Sequence, residues 1–220
     1  MIDAQGWFTW GGHQSGLPFK VWPGTNKIEG VVFHSAVGSL SGVVNVVNDP
    51  NQMRSVTGAI GYDGRFIQFY PVTACVWANG TKEANLAYPA FEFEGGYPGN
   101  EREPLTPDQT STAVRILQDL AAYKGVSESY WRRPTTLIEH REIVATACPS
   151  GRIGWDEIVA GLHGDDETKR LLADREGRVV LDHLLTRHFN TRLSTDKMHL
   201  LIYDPVSGVV ASSIPVPSLP

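Results

Sequence analysis

Hydrophobic positions in this chain fall into short runs whose periods differ from one segment to the next. Val31-Val32-Phe33 is an uninterrupted apolar run opened by Gly30. β-Branched and aromatic side chains in such a run predict a buried strand, which delivers His34 at its C-terminal end. Gly61 to Pro71 reads as a hairpin, two alternating strands around an Asp63-Gly64 turn. Phe91-Glu92-Phe93-Glu94 alternates with period two, so the glutamates share one strand face and the phenylalanines the other. Leu105-Thr106-Pro107 opens a helix with apolar residues at Val114, Leu117, Leu120 and Ala121. Thr136-Leu137-Ile138 is a second short apolar segment, and it leads to His140. A loop through Ala145-Thr146-Ala147 reaches Cys148, Pro149-Ser150-Gly151 forces a turn, and Trp155 to Val159 is helix-like.

The two ends of the chain lack this order. Residues 1–27 carry Trp7, Trp10 and Trp22 among glycines and prolines, which predicts an irregular segment wrapped over the core. Packing is the favoured role for these indoles over a sugar-stacking groove. His13 reads as a loop residue, and Tyr97 to Glu103 as a long loop bordering the substrate cleft. The pattern places a main domain at 28–164 and an extension at 165–220. That extension reads as helical around Leu171-Leu172 and from Val179 to Leu185, followed by a hairpin of His199 to Tyr203 and Val209 to Ala211. It is expected to pack on the main domain or to mediate self-association. His183, His188 and His199 read as surface positions in preference to a second metal site.

Composition narrows the class without naming a reaction. With 220 residues and 41% hydrophobic content, the chain can bury one full core with a small appendage. A net charge of −5 shows no basic balance of the kind nucleic acid requires. No stretch approaches the roughly 18 apolar residues of a membrane span. Met1 to Trp7 has neither a basic n-region nor an apolar h-region, so no Sec signal peptide is predicted. Two cysteines cannot make a multi-disulfide framework; Cys75 reads as a small buried residue and Cys148 as a free thiol.

The candidate chemistry rests on His34, His140 and Cys148. Two imidazoles and a thiolate can fill three positions of a tetrahedral zinc site and leave the fourth for water, the arrangement of a zinc hydrolase. Taken singly, each is more often an ordinary side chain, because a lone histidine after an apolar strand is usually a satisfied, partly buried residue. A zinc hydrolase acting on an amide also needs a group that takes a proton from water and returns it to the leaving nitrogen. A glutamate on a neighbouring strand is the natural candidate. Glu92 and Glu94 offer themselves, although a solvated strand face is the commoner fate of such a pair.

The spacing of His140, Cys148 and Pro149, about a hundred residues after the Val-Val-Phe-His strand, resembles the zinc-dependent N-acetylmuramoyl-L-alanine amidase family, shared by endolysins and peptidoglycan recognition proteins. Further segments fall in the same order between Ile28 and Leu162. They are the Asp63-Gly64 hairpin, Val76-Trp77-Ala78-Asn79-Gly80, Asn85 before Phe91 to Gly96, and the helix after Leu105. The resemblance implies an α/β fold, a central mixed β-sheet flanked by helices, with zinc held by His34, His140 and Cys148. It implies Glu92 as general acid/base, with Glu94 the weaker substitute, and Thr146 as hydrogen-bond donor to the developing oxyanion. The implied substrate is peptidoglycan or a muropeptide, cut between N-acetylmuramic acid and L-alanine. Three positions depart from the pattern. Ala78 stands where the family usually has histidine, Val56 where lysozyme-type members have a catalytic tyrosine, and Thr146 where those members have lysine.

These departures keep a second reading open, a non-catalytic peptidoglycan-binding protein on the same fold. A third, a cysteine hydrolase with Cys148 as nucleophile, is weakened by Pro149 and by the want of a nucleophile turn. With no predicted signal peptide, the resemblance implies an endolysin made in the host cytoplasm and acting at the cell wall after release, or a virion-associated lysin. The third ligand sets it apart from cytosolic muropeptide-recycling relatives, which use aspartate.

Overall fold

The structure, a computed structural model, describes residues 1–162 and three strand segments at 191–193, 199–203 and 210–215. Chain contacts divide it into two units, Met1–Leu162 and His163–Pro220. In the first unit the strands are β1 (Gly12–His13), β2 (Val21–Trp22), β3 (Val31–Ser35), β4 (Gly58–Ile60), β5 (Phe66–Gln68), β6 (Cys75–Val76), β7 (Ala90–Phe93) and β8 (Leu137–Glu139). The helices are α1 (Leu40–Asn48), α2 (Lys82–Ala87) and α3 (Pro107–Lys124), with a further helical segment at 155–162.

A six-stranded sheet runs in the order β1-β5-β4-β7-β3-β8. Strands β4, β7, β3 and β8 are parallel, β5 is antiparallel to β4, and β1 lies parallel to β5. β2 and β6 form a separate antiparallel pair. This is the mixed sheet flanked by helices that the resemblance implied. The Asp63-Gly64 hairpin is present as β4 and β5, with Gly61 N donating to Arg65 O across the turn.

Alternation along the strands sorts side chains into two cores, one on each sheet face. Val31 and Phe33 of β3, Ile60 of β4 and Phe91 and Phe93 of β7 pack against Ala113, Ile116, Leu117, Leu120 and Ala121 of α3. Each fully buried phenylalanine contributes about 1.5–3 kcal/mol of apolar burial. On the opposite face, Ala59 and Ala90 pack with Leu40 and Val47 of α1, Phe69 and Val76. Thr106 caps α3 by accepting from Gln109 N, Gln109 Oε1 accepts from Thr106 N, and Gly125 closes the helix with φ of 72°.

Two elements depart from the sequence expectation. The segment 1–27 is less irregular than its composition suggests: His13 lies in β1 on the sheet edge, where its Nε2 meets Phe8 O at 2.6 Å. Phe8 is fully buried, and Trp10 packs on Phe66 with ring centroids 5.2 Å apart. α1 was not expected at all, because Val43, Val44, Val46, Val47 and Gly42 are poor helix formers. A local cap and two distant side chains impose it. Ser39 accepts from Gly42 N, Glu94 Oε1 accepts from Leu40 N, and the buried Lys20 ammonium donates to Val46 O and Val47 O at the other end.

In the second unit, β9 (Thr191–Leu193), β10 (His199–Tyr203) and β11 (Val210–Pro215) form an antiparallel sheet ordered β11-β10-β9. The hairpin read from the tail is β10 and β11, whereas the helical readings around 171 and 179–185 fall outside the described residues, as do His183 and His188. Among the described residues, no helix is long and apolar enough to cross a membrane.

Candidate metal and catalytic site

Three parallel strands end at one place. In register, His34 of β3 lies beside Glu92 of β7, and Phe33 lies beside Glu139 of β8. Register partners in parallel strands point to the same face, so His34 and Glu92 emerge together on the α1 side of the sheet. His140 follows β8 directly in a single 3₁₀ turn, His140–Glu142. The carboxyl ends of adjacent parallel strands are the usual place for a ligand cleft in α/β sheets.

Cys148 is carried back to this point by its loop. Arg141 N donates to Cys148 O at 2.9 Å, closing the loop on itself, and Ser35 N donates to Cys148 Sγ at 3.3 Å. His34 Nδ1 lies 3.8 Å from Cys148 Sγ, and the two imidazole centroids are 4.5 Å apart. One donor atom from each of His34, His140 and Cys148 falls within 4.8 Å of the others. The structure therefore brings together all three candidate ligands read from the sequence.

Burial dominates the electrostatics. Desolvation, reinforced by the neighbouring His140, pushes His34 down to about 3 against a smaller opposing effect of its hydrogen bond to Asn79. Desolvation also lowers His140, so both rings present neutral nitrogens. The Cys148 thiol is pushed up to about 12 by burial first and by Glu92 second, with the Ser35 N–H opposing. Glu92 is half-buried, its Oε2 has no hydrogen-bond partner, and desolvation lifts it to about 7 despite the charges of Arg54 and Arg152.

Glu94, the weaker substitute, is otherwise engaged. Its carboxylate accepts from Leu40 N and Tyr62 N, both at 3.0 Å, and so holds the start of α1 and the hairpin turn. Thr146 is exposed, and its hydroxyl oxygen accepts from Cys148 N at 3.3 Å, which leaves the hydroxyl proton available. Thr146 lines a cavity of about 610 Å³ with Arg141, Ala147, Ser150 and residues 99–102 of the Tyr97 to Glu103 loop. Glu92 lines a second cavity of about 280 Å³ with Arg54, Val56 and residues of α1.

Sequence reasoning passed over several residues that build the site. Asn79 is fully buried, and its Oδ1 meets His34 Nε2 at 3.1 Å. Gly80, at φ +79°, abuts His140 and Val144; a β-carbon there would lie 2.7 Å from Val144 Cγ1 and 3.3 Å from His140 Nε2. Arg152 is buried beneath the site and donates to Ser35 Oγ, Phe93 O, Glu94 O and Glu103 O. Glu139 accepts from Trp155 Nε1 at 2.7 Å and makes a close charge contact with Arg141 that lacks hydrogen-bond alignment. Only the Trp77 to Gly80 segment carried a signal, through its place in the family pattern.

Comparison with known proteins agrees with this architecture. No curated protein matches the chain at a significant level. Among solved structures, PlyL aligns at 16% identity and a TM-score of 0.55, covering 70% of this chain and 97% of PlyL. The endolysin N-acetylmuramoyl-L-alanine amidase LysCS from Clostridium intestinale aligns at 16% identity and 0.54, covering 72% and 98%. A selenomethionine derivative of AmpD aligns at 16% identity and 0.56, covering 73% and 98%. At this identity these likenesses establish the fold. Residues 24–151, more than half of the chain, match the sequence profile described as N-acetylmuramoyl-L-alanine amidase, and the chain belongs to that family.

Proposed function

We propose that this protein is a zinc-dependent peptidoglycan amidase that hydrolyses the bond between the lactyl group of N-acetylmuramic acid and the first L-alanine of the stem peptide. The observation that carries the reading is the convergence of His34, His140 and Cys148 within 4.8 Å, with Glu92 in register beside His34.

The donor set fits zinc. Ligand distances of about 2.0–2.1 Å for nitrogen and about 2.3 Å for sulfur at tetrahedral angles put N and S about 3.5 Å apart. The observed 3.8 Å between His34 Nδ1 and Cys148 Sγ needs little adjustment. Two neutral imidazoles and a thiol at one strand end are a borderline-soft set suited to zinc. When bound, zinc supplies the Lewis acidity that polarises the scissile carbonyl and acidifies water near neutral pH. The raised Cys148 thiol is the expected behaviour of a buried sulfur whose counter-charge is a cation at the site.

Glu92 does the proton work in this reading. Its carboxyl group, raised by burial in the metal-free protein, takes a proton from the attacking water and passes it to the amide nitrogen as the C–N bond breaks. Its unpartnered Oε2 leaves an acceptor free for that role. Thr146 donates its hydroxyl proton toward the oxyanion, with weaker stabilisation than an ammonium group offers. The cavities beside Thr146 and Glu92 receive the glycan and peptide parts of the substrate. The same chemistry serves host lysis by an endolysin made in the cytoplasm and released to the wall.

The test is incubation of zinc-replete protein with purified peptidoglycan, followed by mass spectrometry of the new ends. Intact stem peptides with a free L-alanine amine, absent after EDTA treatment and with Glu92→Ala, support the reading. Zinc binding and muropeptide retention without release would instead make the site a recognition pocket.

A further inference from the structure

We propose that Asn79 is a positioning residue that holds the His34 imidazole in its Nε2-protonated form and thereby presents the unprotonated Nδ1 to Cys148 and to a metal ion. The inference deepens the zinc reading above and rests on it for its consequence, although not for its geometry.

The orientation of the Asn79 amide is determined by its surroundings. Its Nδ2 faces two main-chain carbonyls, Ala84 O at 3.2 Å and Tyr88 O at 2.9 Å. Carbonyl oxygens only accept, so the NH₂ group must be on that side and Oδ1 on the other. Oδ1 meets His34 Nε2 at 3.1 Å. A carbonyl oxygen cannot donate, so the proton in this bond belongs to Nε2. A neutral imidazole carries one N–H, which leaves a lone pair on Nδ1, the atom 3.8 Å from Cys148 Sγ.

Asn79 cannot readily swivel out of this arrangement. It is fully buried, at the end of β6's following turn and against α2. Its main-chain N and that of Ala78 both donate to Asn85 Oδ1, at 2.8 and 3.2 Å. Asn85 is itself buried in α2, and its carbonyl accepts from Asn26 Nδ2 at 3.0 Å. Asn26 thus holds the main chain of Asn85, and the Asn85 side chain holds the main chain at Ala78 and Asn79, which fixes the backbone from which the Asn79 amide reaches His34. Partners of this kind orient metal-ligating histidines, and losing one typically costs about 10–100-fold in metal affinity.

Truncation at Asn79 leaves His34 Nε2 buried with nothing to receive its proton. The ring then gains by moving the proton to Nδ1, toward Cys148 Sγ, where it blocks the atom that must bind metal. The prediction is therefore a change of tautomer first and a loss of affinity second.

The experiment uses the full chain, labelled with ¹⁵N in its histidines and freed of metal, and reads the His34 ring by long-range ¹H–¹⁵N correlation, assigned with His34→Gln. Wild type is expected to show the proton on Nε2. Asn79→Ala is expected to shift it to Nδ1 or to an average, and to weaken zinc binding 10–100-fold in competition with a chelator. A wild-type ring protonated on Nδ1 overturns the proposal, whatever the variants do. So does folded Asn79→Ala with the wild-type tautomer and zinc affinity within twofold. Should Asn79→Ala fail to fold, the wild-type spectrum decides. Wild type that binds no zinc while showing Nε2–H refutes the zinc reading and leaves the tautomer assignment standing.

Discussion

His34 and Glu92 are register partners on adjacent parallel strands, so a metal-ligand candidate and a proton-transfer candidate leave the sheet side by side on the same face. A β-sheet holds such a pair more rigidly than a loop would, because both main chains are fixed by the ladder and by Phe33 and Phe91 packed beneath. The pair predicts a separation of roles. Glu92→Gln preserves shape and removes the exchangeable carboxyl proton. Turnover of peptidoglycan should fall about 10²–10⁴-fold while zinc binds with near wild-type affinity. Parallel measurement of stem-peptide release and zinc competition checks this; loss of both together would place Glu92 in the metal shell instead.

The raised Glu92 carboxyl also predicts a pH dependence of stability in the metal-free protein. Its value near 7 in the folded chain lies above its ordinary 4.5, so the folded state holds the proton more tightly. The associated stability is fully present below pH 4.5 and is lost as pH rises through about 7. His34, depressed to about 3, acts oppositely, and its contribution falls as pH drops below its ordinary range. Comparing wild type with Glu92→Gln cancels the His34 effect. Glu92→Gln should gain on the order of 1–3 kcal/mol relative to wild type between pH 4 and pH 8.5. Urea unfolding at several pH values measures it, and a pH-independent difference would show that burial does not govern Glu92.

Cys148 discriminates a metal ligand from a nucleophile. A buried thiol pushed up to about 12 is a poor source of free thiolate, which a cysteine hydrolase requires and a metal ligand obtains on binding. Cys148→Ser should weaken zinc binding by more than the ~10–100-fold typical of losing a group that only orients a ligand. Chelation should abolish wild-type activity, and added zinc should restore it. Activity that survives EDTA but not thiol alkylation would overturn the metal reading.

The legible parts of this molecule are those whose signal is local. Val31-Val32-Phe33 announces a buried strand by itself, Asp63-Gly64 a hairpin, and Phe91 to Glu94 a two-faced strand whose two phenylalanines enter the core. The three ligand candidates were visible because family spacing ties His34 to a pair more than a hundred residues away. α1 was invisible because its Val-rich sequence disfavours a helix; Lys20 and Glu94, remote in sequence, supply its end contacts. Asn79 lay in a segment that the family order marked, but its role was not legible, since its partner His34 lies 45 residues earlier and only the fold brings them together. Local patterns thus predicted the strands and family spacing the candidate donors, whereas the supports of the site are contacts between distant segments.

Gly80 provides the sharpest test of how tightly the His140 side is packed. Its φ of +79° is one that side chains with a β-carbon rarely adopt, and occupying it costs about 1–2 kcal/mol. The added methyl would also press on both Val144 γ-carbons, at 2.7 and 2.9 Å, and approach His140 Nε2 at 3.3 Å. Val144 N bonds to His140 O, so a shift of Val144 is transmitted to the turn that carries the ligand. Gly80→Ala should therefore lower stability by about 1–3 kcal/mol and weaken zinc binding, with the helical far-ultraviolet signal unchanged. Gly125→Ala is the matched control: at φ +72° with no atom within 4 Å of the added carbon, it carries the backbone strain alone. Equal zinc affinity in the two variants would mean that the turn absorbs the methyl without moving His140.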